Sequence, residues 1–328
     1  MTTQRCAGDE PRRPNTKAYA PWAWRMLLNA TVADAARTLG IAEATSDGIR
    51  DRWSARAVDW DPWARLGVLG LDEIARKRGH RDVVTWVTVP VEGGGVEILA
   101  VLADRQQETG AAFLRAIPAP LRHTVERAGP EMAEGFVNAI PEAIPWAEVV
   151  IDRVHVARAD RDGADTVRQK ALKRRKHAWP TAEYAEITGA MWPFRQRPKA
   201  LDPEAEDLRV RLCTDAPKIE AAYHLREDLT DLFDRDDTKA GATCAIRAWC
   251  KRARQSGLTE FERVLGTIDR WMDELTHDCQ GRQTSGCVAG FNNRVQVLTR
   301  RCYGIFTVDR LFQRLTLDLH GYQRFGHT

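Results

Sequence analysis

The sequence predicts an α/β protein: a mixed sheet core, a helix-turn-helix before it and a large all-helical stretch within it. Three observations carry this. Runs rich in Val, Ile and Leu at 68–75, 80–91 and 95–103 follow one another closely and read as strands. Helical spacing then alternates with shorter apolar runs to about residue 157, as a mixed sheet requires. From about residue 160, helical spacing dominates with few strand signals.

Residues 1–21 are polar, contain Pro11, Pro14 and Pro21, and read as a flexible leader. Within 22–60, the stretch TVADAARTLGIAEATSDGIRDRW has two helical segments around a turn at Gly40. Thr31 can cap the first, with Asp34 three residues on, and Ala35, Ala36, Leu39 and Ile41 supply apolar contacts. This is a helix-turn-helix pattern. Ser46 stands where the second helix would usually offer an apolar residue to the core.

The core begins near residue 66. Glu92-Gly93-Gly94-Gly95 makes the turn between the second and third strands. GAAFLRAI at 110–117 reads as a helix, RHTVERA at 122–128 as a weaker strand, and EMAEGFVNAIPEA at 131–143 as a helix. AEVVIDRVHVA at 147–157 reads as another buried strand. The boundaries expected are 66–160 for the first part of the core, 161–283 for a helical insertion and 284–328 for a C-terminal return to the core. Pro193 and Pro198 break the helices around MWPFRQRP.

Composition narrows the function classes. The 328 residues carry a net charge of only +3, so a nucleic-acid surface must come from local patches. No apolar run approaches the roughly 18 residues that span a bilayer, and the first residues show no secretory h-region. A cytoplasmic protein without a membrane partner is expected. The cysteines Cys6, Cys213, Cys244, Cys250, Cys279, Cys287 and Cys302 form no C-x-x-C pair, so free thiols are expected and zinc is not.

Asp72 is the candidate metal ligand, because a carboxylate inside a hydrophobic strand needs a cation or hydrogen bonds. The alternative is a polar residue on an exposed strand face. Arg168, Lys170, Lys173, Arg174, Arg175 and Lys176 make a dense basic run on a helix, and Arg294, Arg300 and Arg301 a second one. Such runs either neutralise phosphates or form solvated basic faces. Arg50 and Arg52 on the second helix of the pair can approach a DNA groove or backbone. Trp179 and Trp192 flank the insertion and read as core rather than as base-stacking platforms. His80 either contacts phosphate or ends a strand, the second being the simpler reading.

Several segments occur in one order: GLDEIARKRGHRD, VVIDRVHVARADRDGADTVR, KAGATCAIRAWCKRARQSGLTEFE, SGCVAGFNNRV and RRCYGIF. Together they resemble the ISL-three family of DDE insertion-sequence transposases, over about residues 22–326. The resemblance implies an RNase H-like core, a helix-turn-helix, usually a cysteine zinc ribbon, and a helical insertion before the last catalytic helix. It implies double-stranded DNA as partner (element ends and target), homo-oligomers on DNA, and Mg²⁺ or Mn²⁺ bound by three carboxylates.

Position by position, the resemblance puts Asp72 at the first catalytic place. Glu131, in Glu131-Met132, takes the second, where the family has aspartate. Ala289, in SGCVAGFNN, takes the third, where the family has glutamate. A methyl group cannot bind a cation, and the extra methylene of Glu131 displaces its carboxylate by about 1 Å, which can cost about a hundredfold. Asp152 and His155, close to the family's active site, either support it or are satisfied locally. Asn292 and Asn293 share the helix face of Ala289 and either contact DNA or bond within the core. The expectation is therefore a shortened transposase copy with impaired cleavage and strand transfer. The alternative is a DNA-binding remnant or repressor that no longer cuts.

Overall fold

The computed structural model describes residues 16, 19–28, 30–54, 57–75, 83–91, 95–130, 132–176, 184–185, 187, 191–277, 295, 297–298 and 307–325. The chain divides into two compact units. The first comprises 1–128, 133–147 and 286–328, and the second 129–132 and 148–285.

In the first unit, α1 (Tyr19–Leu27), α2 (Val32–Leu39) and α3 (Glu43–Trp53) come first. The Thr31 hydroxyl accepts from the Asp34 amide at 3.1 Å, satisfying one of the donors that a helix start leaves open. Gly40 ends α2 at φ 66°, a left-handed conformation that suits glycine, and its amide bonds back into the helix. Ala23, Trp24, Leu27, Leu28, Ala35 and Ile49 bury a common cluster between the three helices. Ser46 is buried within this region, and its hydroxyl has no hydrogen-bond partner among the described residues.

The sheet follows: β1 (Gly67–Ala75), β2 (Val83–Pro90), β3 (Val96–Leu102) and β4 (Val125–Pro130), while the two-residue β5 (Glu148–Val149) belongs to the second unit. The spatial order of the first four is β3-β2-β1-β4. β1 to β3 form an antiparallel meander, with Asp72 opposite Trp86 and Thr85 opposite Leu102. β2 is buried from Val84 to Val89, which is why it reads as a continuous apolar run rather than an alternating one. Helices α4 (Gln107–Ala116), α5 (Ala119–Arg122) and α6 (Glu134–Ala143) lie between these strands in the chain.

The unit closes with α14 (Val308–Phe325). Its Leu311, Phe312 and Leu315 pack with Val84, Trp86, Ile98 and Val101 of the sheet, and with Val295 and Leu298. The side chains of Val84 and Trp86 share one face of β2, so α14 covers that face.

The second unit is helical: α7 (Arg153–Arg175), α8 (Met191–Arg195), α9 (Pro203–Asp215), α10 (Pro217–Asp234), α11 (Lys239–Gln255), α12 (Glu262–Arg270) and α13 (Met272–His277). Trp249 and Phe261 anchor its core, and the Trp249 indole donates to the Leu225 carbonyl at 2.8 Å.

Three expectations are corrected here. The strand expected over 147–157 ends at Val149, and the helix α7 starts at Arg153. The Asp152 carboxylate accepts from the Val154 amide at 2.8 Å and starts the helix as its cap. Buried Val156, Asp160, Ala164, Val167 and Leu172 continue the helical period, so the short apolar run belonged to the longer pattern. Trp192, expected in the core, is 64% exposed, while the next two residues of α8, Pro193 and Phe194, are buried. Pro193 also stands inside that short helix rather than breaking it; within the first turn a missing amide hydrogen costs no bond. No helix among the described residues is long and apolar enough to cross a membrane.

Candidate functional site

Asp72 lies in mid-strand of β1, 6% exposed, next to Leu71, which with Leu69 faces the opposite side. One carboxylate oxygen accepts from the Glu73 amide at 2.9 Å. Being opposite Trp86, it belongs to the face of the sheet against which Val295 and Leu298 pack. The exposed-face reading of Asp72 is thus excluded by its burial. Next to it, Glu73 is approached by Arg105 at 3.5 Å.

The other two positions expected in the catalytic set, Glu131 and Ala289, lie outside the described residues. So do His80, Trp179, Asn292, Asn293, Arg294, Arg300 and Arg301, and so does the side chain of Arg175. Among the described residues, no three His, Cys, Asp or Glu side chains gather to hold a metal ion. Asp72 is the one expected ligand that is described, and its hard carboxylate oxygens suit Mg²⁺ or Mn²⁺.

Asp152 and His155 sit in the second unit at the start of α7, where Asp152 is occupied in capping and the His155 amide bonds to the Asp152 carbonyl at 3.2 Å. A cap accounts for Asp152 without any role in chemistry.

The basic run on α7 divides in two. Arg168 is buried and paired with Asp165 at 2.9 Å, and Lys170 reaches Glu260 at 3.0 Å. Burial pushes the Asp165 carboxyl up, but hydrogen bonds from Arg195 and Arg168 outweigh it and hold it below the usual range. Lys173, Arg174 and Lys176 are exposed at the end of the helix. Among the described residues of this run, it is these three, in the last turn, that present open charge to a polyanion.

On α3, Arg52 is exposed. Arg50 is not: its side chain is 12% exposed and meets Asp47 at 2.5 Å and Asp51 at 3.4 Å. Arg310 of α14 joins the same carboxylates, at 2.5 Å to Asp47 and 2.8 Å to Asp51. Arg314, one turn on, donates to the carbonyls of Leu27 and Ala30 at 2.9 and 2.8 Å. Sequence reasoning did not single out Arg310 or Arg314. The signal was present: Asp47 and Asp51 are four apart on α3, as Arg310 and Arg314 are on α14, and both spacings put side chains on one helix face.

A family model described as transposase, the ISL-three group of DDE enzymes, matches residues 69–315. The transposase for insertion sequence element IS1001 of Bordetella parapertussis is 27% identical over 282 residues, covering 85% of this chain and 67% of that protein. The transposase for insertion sequence element IS1557 of Mycobacterium tuberculosis is 21% identical over 290 residues, 83% of this chain and 64% of that protein. The chain therefore spans about two thirds of the length of the curated relatives it matches. With the match running from β1 into α14, across the sheet and the helical unit alike, the chain belongs to the ISL-three family of DDE transposases.

Proposed function

We propose that this chain is a transposase-type protein that binds the terminal inverted repeats of an insertion sequence and is impaired in cutting and joining them. The observation that supports the site is the burial of Asp72 on the sheet face against which Val295 and Leu298 pack. Val295, which is part of that contact, follows Ala289 by six residues in the sequence. The meander β1–β3, extended beyond β1 by β4, supports an RNase H-like core.

Family membership implies a divalent metal. When bound, such an ion polarises the scissile phosphodiester and activates the attacking oxygen. In this chain Asp72 offers one carboxylate, and Glu131 would offer another, reaching further by one methylene. The Ala289 methyl offers no donor. With that ligand missing, a second metal would be weakly held, which is the physical ground for impairment.

DNA binding is assigned to α2 and α3, with Arg52 as the open cation of α3. Arg50 would have to leave Asp47 and Asp51 to reach a phosphate. Lys173 and Arg174, with Arg175, make a second contact, and Arg294, Arg300 and Arg301 a third. The protein would act in the cytoplasm as a homo-oligomer on DNA. The second reading, a repressor that occupies ends without cutting, is favoured by the alanine at position 289.

The test is nicking of DNA bearing the ends of the surrounding element, with Mg²⁺ or Mn²⁺, beside a mobility-shift assay. The native chain is expected to bind and not cut, and the Ala289→Glu, Glu131→Asp double variant to gain metal-dependent nicking. Equal cutting by both would overturn the impairment. Binding without cutting by both would favour the repressor, and absence of binding would overturn the end-recognition reading.

A further inference from the structure

The C-terminal helix α14 touches two otherwise separate hydrophobic clusters. Through Leu311, Phe312 and Leu315 it belongs to the cluster of Trp86 on the sheet. One to two turns later, Leu317 belongs to the cluster of Trp24, Leu27, Leu28, Ala35 and Ile49 between α1, α2 and α3. A single rigid helix thus has one face, from Val308 to Leu319, seated on the body that carries Asp72 and the opposite face, at Leu317, seated on the three N-terminal helices.

Polar contacts reinforce the second seat. Arg310 spans Asp47 and Asp51, with Nη1 at 3.2 Å and Nη2 at 2.5 Å from the two oxygens of Asp47, and Nη1 at 2.8 Å from Asp51. Arg50 completes a four-membered cluster of alternating charge. Isolated surface pairs contribute little, but a bidentate, half-buried network is the exception. Arg314 is 11% exposed and serves the carbonyls that the end of α1 leaves open. The Gln313 side chain donates to the Ser54 carbonyl just past α3 at 3.3 Å. Gly321 allows the closest approach: a Cβ there would run into Leu28, which is itself buried.

We propose that Arg310 and Arg314 are positioning residues for DNA recognition, holding the helix pair α2–α3 at a set place on the sheet that carries Asp72. The proposal rests on the reading of α2–α3 as the end-binding element. Its consequence is that the spacing from the bases met by α3 to the phosphodiester met by Asp72 is set by α14, not by the connection 54–66. The same network explains why Arg50 is turned from solvent. Its charge holds the acidic side of α3, and Arg310 holds that side from without.

The experiment uses the full chain without DNA, so its outcome is separate from that of the end-binding assay. Genetically encoded spin labels are placed at exposed Glu43 on α3 and exposed Ala112 on α4, and their distance distribution is measured by double electron–electron resonance. The native chain is expected to give one narrow distance. Arg310→Gln with Arg314→Gln is expected to lose it, spreading the distribution while the helical circular dichroism stays. Arg310→Lys, a point charge that cannot bridge two carboxylates bidentately, is expected to fall between. A broad distribution in the native chain, or an unchanged narrow one in the double variant, overturns the proposal. If the double variant instead loses helical signal, Arg310→Gln alone decides. A broadened distance with helical signal kept supports the clasp, and an unchanged narrow one overturns it.

Discussion

Asp160 is the most exacting test of the second unit. It lies on α7, 1% exposed, and its Oδ1 has no hydrogen-bond partner among the described residues. Burial pushes its carboxyl from 3.8 up to about 8, against the pull of Arg226 and Arg161 and with Glu227 adding to the rise. The folded chain therefore keeps the proton between about pH 4 and 8, while the unfolded chain has released it. With one proton fewer bound in the unfolded state, stability falls as pH rises, by about 1.4 kcal/mol per pH unit. The stabilisation by the neutral acid is complete below 3.8, declines across this window and is gone above about 8. From pH 5 to 7, the loss amounts to about 3 kcal/mol.

Asp160→Asn removes the titration and keeps the shape. The variant is expected to be more stable than the native chain at pH 7 than at pH 5, by about that 3 kcal/mol margin. Urea unfolding at both pH values, read by hydrogen exchange in α7 and α10, isolates the second unit from the first. Parallel pH profiles for the two proteins would refute the argument and mean that water or a charge reaches the carboxylate.

The remaining predictions concern the first unit. Thr31→Ala removes the oxygen that accepts from the Asp34 amide, so it should cost about 1 kcal/mol and speed hydrogen exchange in the first turn of α2. Gly135→Ala would drive a methyl into the Arg105 carbonyl oxygen and to 3.0 Å from the Gln107 amide nitrogen. Because those are backbone atoms, a cost of about 1–3 kcal/mol and a lower melting temperature are expected. An unchanged melting temperature would mean that α6 can slide away from 105–107.

Much of the first unit was legible in the residues. The three strands of the meander fell where their Val-rich runs stand, because β-branched side chains fit a sheet buried on both sides. Thr31 and Gly40 mark α2 from outside, since capping is a local matter of a hydroxyl and a left-handed turn. Asp72 was legible as an anomaly, a carboxylate in an apolar strand, and the structure places it on a buried face. The boundary at Asp152 was not legible. Val149, Val150 and Ile151 fit a strand and a helix equally well over so few residues, and only the period of the following twenty settles it. Trp192 misled for another reason. Hydrophobicity says that burial is favourable, but not whether a neighbouring surface is there to receive the ring.

The sequence by itself determined the element types, the family to which the chain belongs, and the alanine at position 289. These depend on neighbours in the chain or on side-chain identity, and both can be read along one dimension. Only the tertiary structure decided that Arg50 is held by its own helix and by Arg310, that Arg168 is buried against Asp165, and that α14 joins two clusters. Asp47 and Arg310 are 263 residues apart, and no local preference reports a pairing over that distance. It arises because α14 buries one face on the sheet and the opposite face on the N-terminal helices, and the arginines on that second face take the carboxylates and carbonyls that the packing brings to them.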